Sequence, residues 1–354
     1  MGSGKPTSFD IAYHAGVSQA TVSRALRNSP LVNEETRKKV QAVARKLNYQ
    51  VDQHAAALRS QRSRTIALLL FEDPTTDDSQ INPFFLAMLG HITRVAAARR
   101  YDVLVSFQQL SDDWLNEYQV SNRADGMILL GYGNYARNAE RLQKLKEDGA
   151  LFTIWGATLP ELEGHAVGCD NYEGGLAATR HLLALGRRRI AFIGCVDEGC
   201  PEFRLRYQGY CNALQEAGLE VDPALRLDAQ NKENYGTQAA RTLPGRGQDV
   251  DGIFAASDLI AFGAMKYLRR NRIRVPQDIS IVGFDDVPAA SYFSPSLTSV
   301  RQDTRKAAEM LVGNLLAMIG GKPVTSSLLP MSLVVRGSCG GRRTDQAACG
   351  PPRS

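Results

Sequence analysis

The stretch from Thr7 to Leu58 constrains this chain more than any other. Ile11, Ala12 and Ala15 fall at i, i+1 and i+4, a small apolar face on a short helix. Gly16 stops that helix and is free to take the positive φ of a tight turn. Ser18 can cap a second helix by accepting from an orphan N–H two or three residues on, and Val22, Ala25 and Leu26 give that helix its buried side. Two short helices joined by a glycine-containing turn make a helix-turn-helix, a motif whose second helix can enter the major groove of DNA. Asn33 caps a third helix, in which Val40, Val43, Ala44 and Leu47 keep i, i+3, i+4, i+7 spacing until the helix ends near Tyr49. Ahead of all this, residues 1–6 read as a loose arm. Its Gly2-Ser3-Gly4-Lys5 is no phosphate-binding loop, because no strand precedes it and Pro6 stands where Ser or Thr would.

Charge is distributed to match. Residues 1–64 hold eleven lysines and arginines against four acids, whereas the whole chain carries a net charge of +5. The head is therefore strongly basic and the rest slightly acidic, the electrostatic footprint of a nucleic-acid binder. A solvated basic surface would explain the charge alone, but not a basic surface built around a groove-reading helix.

From Thr65 the texture changes. Thr65–Phe71, Tyr101–Val105, Gly126–Leu130 and Leu151–Trp155 are near-continuous apolar strands, with helices read at Phe84–Arg100 and around Trp114–Val120. A second series starts near Asp170: helix Glu173–Leu185, strand Arg189–Gly194, helix Glu202–Ala217, strand Gly252–Ala256, helix Leu259–Arg270 and strand Ile279–Phe284. Apolar strands alternating with helices predict parallel sheets covered on both faces. At 354 residues and 44% hydrophobic composition the chain can bury several cores, and two such sheets imply two lobes. Gly131-Tyr132-Gly133 follows a strand, yet it lacks the third glycine and the downstream acid of a dinucleotide loop.

Other functional classes are disfavoured. No apolar run approaches the ~18 residues of a membrane span, and no secretory signal is visible, so a soluble cytoplasmic protein is the default expectation. The six cysteines show no Cys-x-x-Cys and no ligand spacing with the five histidines. They are expected to be reduced structural thiols, with no metal and no cofactor. No Gly-x-Ser-x-Gly, His-Glu-x-x-His or Cys/His cluster suggests an enzyme.

The chain resembles the lactose-repressor (LacI/GalR) family of bacterial transcription regulators. In the head the resemblance is carried by Asp10-Ile11-Ala12, Ala15-Gly16-Val17-Ser18, Thr21-Val22-Ser23-Arg24, Thr36-Arg37 and Leu47-Asn48-Tyr49, with Ala55 to Leu58 at the right distance behind. In the body it runs through Asn82-Pro83-Phe84-Phe85, Asp170-Asn171, Gly174-Gly175, Arg206, Gly209-Tyr210, Ser257-Asp258, Val275-Pro276, Gly283-Phe284-Asp285-Asp286 and Pro295-Ser296-Leu297-Thr298. It implies an all-α helix-turn-helix head followed by an α/β two-lobed effector domain like the periplasmic binding proteins, with parallel sheets. The chain would cross between lobes near residues 170, 300 and 330. The expected divisions are an arm over 1–6, the DNA-binding head over 7–50, a hinge helix and linker over 51–64, and an effector-binding and dimerisation body over 65–338. Within that body the N-lobe takes about 65–169 and 301–329 and the C-lobe about 170–300 and 330–338, leaving 339–354 as a disordered tail.

The site residues follow. Side chains at the start of a recognition helix reach base edges, which here means Ser18, Gln19, Ala20 and Thr21, with Arg24 a turn later. Gln can bond adenine and Arg can bond guanine in a bidentate manner. The resemblance implies base contacts at Gln19, Ala20 and Arg24 and phosphate contacts around Ser18, Thr21 and Tyr49. It also implies that the Ala55–Leu58 segments of two subunits fold together on DNA and drive Leu58 into a minor-groove step, as apolar wedges do. Val51 stands where the family usually has Pro, and Ser8-Phe9 replaces its usual apolar-polar order. Effector contacts are expected at the carboxyl ends of the strands, from Phe84, Trp155, Asp170, Arg206, Ser257, Asp258 and Asp285. Acids and an arginine among aromatic faces suit a ligand rich in hydroxyls, such as a sugar. Ala229-Gln230-Asn231 stands where the family often has an aromatic wall. Asp258 could equally be a helix cap and Trp155 a core residue. The expected function is a homodimeric repressor of double-stranded operator DNA, controlled by a small molecule between the lobes. A solute-binding protein of the same fold is the alternative, but it would have no use for residues 7–58.

Overall fold

A computed structural model describes residues 6–49, 62–70, 81–107, 113–131, 135–243 and 249–341, with residues 135–138 described for their backbone only. The chain divides into two compact units, Met1–Ser63 and Arg64–Ser354.

Among its described residues the first unit holds three helices, α1 (Ser8–Ala15), α2 (Gln19–Leu26) and α3 (Glu34–Lys46). Each starts on a capped turn. Thr7 and Asp10 form a reciprocal capping box, the Ser18 hydroxyl accepts from the Thr21 N–H at 3.1 Å, and the Asn33 side chain accepts from the Thr36 N–H at 2.8 Å. Gly16 ends α1 in the left-handed region, at φ 62°. Ile11, Ala15, Val22, Ala25, Val32, Val40 and Ala44 make the core. Leu26, Val43 and Leu47 pack only partly buried at its rim.

The second unit is built on two six-stranded sheets. The first contains β1 (Thr65–Leu70), β2 (Asp102–Phe107), β3 (Gly126–Leu130), β4 (Phe152–Trp155), β5 (Ala166–Cys169) and β11 (Ser327–Leu329), in the order β11-β5-β4-β3-β1-β2 and parallel throughout. The second contains β6 (Ile190–Ile193), β7 (Arg226–Leu227), β8 (Gly252–Ala255), β9 (Ser280–Asp285), β10 (Thr298–Arg301) and β12 (Ser332–Val334), in the order β12-β10-β9-β8-β6-β7. Its pairs are parallel except β10 with β12, which is antiparallel. The exception to the expected parallel sheets has a simple origin. Pro330 and Met331 alone link β11 to β12, so the chain enters the second sheet at its edge without the helix that a parallel return needs. Strand order also fixes three passages between the sheets: after β5, after β10 and between β11 and β12.

Among the described residues, the unit's α-helices are α4 (Pro83–Ala98), α5 (Tyr135–Glu147), α6 (Asn171–Ala184), α7 (Pro201–Glu216), α8 (Glu233–Arg241), α9 (Asp258–Arg270), α10 (Ala289–Tyr292) and α11 (Thr304–Ile319). The segment read as a helix around Trp114 is a π-helical turn over Leu115–Val120. α4 packs on α11, α6 on α7 and α8 on α9. The α6–α7 contact depends on glycine. A Cβ on Gly175 would lie 2.1 Å from the Arg206 carbonyl oxygen, and one on Gly209 would lie 2.2 Å from that of Tyr172. Only backbones without side chains approach so closely, and the approach sets where Arg206 stands. Residue 339, where the tail was expected to begin, lies in a short 3-10 turn over Gly337–Cys339. Cys339 is buried, with its sulfur 3.1 Å from the Thr298 hydroxyl and 3.3 Å from His181 Nε2.

Candidate functional site

The head presents its second helix to solvent. Ser18, Ala20 and Arg24 are exposed, and Gln19, Thr21 and Tyr49 are partly so. Val22 and Ala25 are fully buried beneath them. That split is the amphipathic consequence of the helical period. Ser18 has a second bond, its hydroxyl lying 2.9 Å from that of Thr21. The Gln19 amide donates to the Ser8 hydroxyl at 2.7 Å, so α1 aims the side chain expected to read a base. Tyr49 packs against the head core, and its N–H closes on the Ala44 carbonyl at 2.9 Å. Arg37 serves the fold, donating to the carbonyls of Ser29 and Val32. Ala55, Leu58 and Val51 lie outside the described residues.

In the body, Arg206 and Asp285 form the centre. Both side chains are sealed from solvent, with Arg206 Nη1 3.8 Å from Asp285 Oδ1. The guanidinium also donates to Asn171 Oδ1 at 2.8 Å and to the Ala256 carbonyl, and it lies 3.6 Å above the Phe284 ring. Burying the pair is tolerable only with such partners, since an isolated ion in a protein interior is costly. Gln302, at the second passage, donates to Asp285 Oδ1 at 2.6 Å. Asp285 and Asp286 both have left-handed backbones, φ 109° and 52°. Non-glycine residues in that region store strain, which clusters at ligand sites. The sequence reading had no means to see it.

The remaining expected contacts separate into groups. Asp170 caps α6 through the Glu173 N–H at 3.0 Å and remains partly exposed at the first passage. Phe84 and Trp155 are both buried, with ring centroids 6.0 Å apart at the start of α4 and the end of β4. Ser257 and Asp258 are directed into the protein. The Ser257 hydroxyl accepts from the Ile260 N–H at 3.3 Å, which makes Ser257, rather than Asp258, the cap of α9. Asp258 accepts from the Ser299 hydroxyl at 2.6 Å and the Val287 N–H at 2.8 Å. Burial, reinforced by Asp285 nearby, pushes its carboxyl well above the usual range.

Two residues were missed by sequence reasoning. Glu202, in the first turn of α7, accepts from the Ala157 N–H at 3.1 Å and so ties the helix bearing Arg206 to the chain just beyond Trp155. The residue is partly exposed but its carboxyl is enclosed, and that burial raises its pKa. Asn231, after β7, has both amide atoms buried and without a hydrogen-bond partner among the described residues. An orphaned buried amide costs about 1–3 kcal/mol until something bonds to it. Its place on the chain, where an aromatic wall was looked for, was the only available signal.

A basic three-helix head with an exposed reading helix, joined in one chain to two α/β lobes with a polar centre at their strand ends, defines a helix-turn-helix DNA-binding transcriptional regulator of the effector-controlled class. Residues 9–52 match the model for bacterial regulatory proteins of the lacI family, and residues 179–339 match that for a periplasmic binding protein-like domain. The HTH-type transcriptional regulator CelR of Thermobifida fusca is 32% identical over 319 residues, covering 88% of this chain and 92% of its own. The HTH-type transcriptional regulator GalR of Escherichia coli K12 is 30% identical, covering 89% and 90%. Among solved structures, a transcriptional regulator CelR–cellobiose complex is 30% identical with a TM-score of 0.70, over 94% of this chain and 99% of its own. The lac repressor dimer bound to operator and the anti-inducer ONPF is 25% identical with a TM-score of 0.80, over 95% and 99%. The chain belongs to the lacI family of bacterial regulatory proteins. No helix among the described residues is long and apolar enough to cross a membrane.

Proposed function

We propose that this regulator is a homodimeric repressor whose operator affinity is set by a sugar or sugar derivative held between its two lobes, and that it catalyses no reaction. The observation that carries the reading is the buried Arg206–Asp285 pair, together with the buried, unpartnered Asn231 amide, in a chain that also carries an exposed reading helix. Fixed donors and acceptors of this kind fit hydroxyls. The solved complexes of relatives with cellobiose and with ONPF support the ligand class. The lac repressor dimer on operator supports the assembly, one head per half-site.

In this reading Gln19, Ala20 and Arg24 contact base edges, Ser18, Thr21 and Tyr49 contact phosphates, and Ala55 and Leu58 belong to a hinge that folds on the minor groove. Residues 7–50 form the DNA-binding domain, 51–64 the hinge and 65–338 the effector body. Asp170, Arg206, Asp285 and Asn231 touch effector, Phe84 and Trp155 wall the site, and Ser257 and Asp258 support it from behind. The protein works in the cytoplasm, on the nucleoid.

The test is selection of genomic fragments by the full chain at moderate salt, followed by a sugar panel. One discrete class of fragments, retained against competitor DNA and altered by one sugar, supports the reading. Retention of no discrete fragment with or without sugars rejects it.

A further inference from the structure

The loop between β6 and α7 holds a constellation that DNA reading and sugar binding leave unused. The sulfurs of Cys195 and Cys200 and a carboxylate oxygen of Asp197 all lie within 4.8 Å of one another. Cys195 is buried just beyond the end of β6, Cys200 is half-buried at the start of α7, and Asp197 is exposed between them. The turn is fixed by its own backbone. The Cys200 N–H bonds the Asp197 carbonyl at 3.2 Å, and the Gly199 N–H donates to Asp197 Oδ1 at 3.0 Å. Neither cysteine is in a disulfide.

The geometry points to a site for a soft divalent cation of the zinc class, held by Cys195, Asp197 and Cys200. In a tetrahedral zinc site with bonds of about 2.3 Å, two thiolate sulfurs stand roughly 3.8 Å apart, so the three donors reach that arrangement by a small contraction. Two sulfurs select a soft ion over magnesium or calcium. Three protein donors leave one position for water or for a donor atom of another molecule.

A bound metal ion deprotonates a coordinating thiol outright, so both cysteines would enter the site as thiolates. The cysteines were expected to hold no metal, because they show no Cys-x-x-Cys and no ligand spacing with the histidines. A strand end and a helix start bring the two together all the same. The loop leads directly into the helix that carries Glu202 and Arg206, so an ion here would stiffen one side of the effector site.

The test uses the full-length, reduced, metal-free protein, titrated with Zn2+ against a chromophoric chelator and with Co2+ for its thiolate charge-transfer absorbance. Expected are one equivalent bound, about two protons released per ion near neutral pH, and a charge-transfer band. The double variant Cys195→Ser with Cys200→Ser should bind more than about a hundredfold more weakly, since even outer-shell losses cost 10–100-fold. Cys211→Ser should bind as the parent does. Asp197→Asn, at an exposed position, keeps the test decisive if the double variant fails to fold, and should weaken binding at least about tenfold. Absence of one-equivalent binding overturns the proposal. So does binding that survives in the folded double variant or is unchanged in Asp197→Asn, and so does ready diamide cross-linking of Cys195 to Cys200 in a protein that takes up no zinc.

Discussion

Arg206 and Asp285 face each other across 3.8 Å with neither side chain open to solvent, one from the middle of α7 and the other from the last residue of β9. Removing one member strands the other. Arg206→Ala should cost about 3–5 kcal/mol of stability, the usual consequence of leaving a buried charge unpaired, and should abolish effector binding. Arg206→Lys keeps the charge but loses the planar fork that reaches Asn171 and Ala256 together. It should therefore recover much of the stability but little of the binding. Thermal unfolding and effector calorimetry on the two variants separate these effects.

The close crossing of α6 and α7 offers a test that touches no ligand group. Gly175→Ala would force a Cβ to within 2.1 Å of the Arg206 carbonyl unless the helices part. A loss of about 1–3 kcal/mol is expected, as for other overpacked sites, together with weaker effector binding because Arg206 moves with its helix. Denaturant unfolding monitored beside effector titration checks both.

In the head, Arg24→Ala should leave the fold intact, because Arg24 is exposed and Val22 and Ala25 hold the helix. It should lower discrimination at one operator position by about 1–3 kcal/mol while leaving binding to non-specific DNA largely in place. Ser18→Ala differs. It removes the hydroxyl that caps α2, so it should destabilise the head by about 1 kcal/mol and weaken all DNA sequences alike. Anisotropy titrations on operator and scrambled duplexes distinguish the two patterns.

How much of this was legible depended on how local each feature is. Ser18, Asn33 and Gly16 could be assigned roles from sequence because a cap or a turn is decided within four residues. The helices beneath them follow from apolar spacing. The effector centre assembles residues from α7, β9 and the passage at Gln302, and no periodicity links them. Family resemblance supplied Arg206 and Asp285, but it could not say that Asp258 would turn inward to Ser299. The strain at Asp285 and the orphaned amide of Asn231 exist only in three dimensions. The same holds for the meeting of Cys195 with Cys200.

Glu202 predicts a pH dependence. Its carboxyl is raised by burial in the folded protein, while in the unfolded chain it titrates near the ordinary 4.5. The folded state therefore holds the proton more tightly. Its contribution is fully present below about pH 4.5 and is lost as pH rises through the folded-state value. Glu202→Gln keeps an oxygen for the Ala157 N–H but cannot ionise. It should match or exceed the parent's melting temperature at neutral pH and lose that advantage toward pH 4. A parallel fall of both proteins across this range would show that other groups carry the effect.

The most direct measurement is the operator dissociation constant with and without saturating effector, paired with the effector dissociation constant with and without saturating operator. If a folded head and a two-lobed receptor act as one device, both ratios depart from one and they are equal, because coupling between two sites is reciprocal. An effector that binds the body with the same affinity whether or not the head is on its operator would contradict the account.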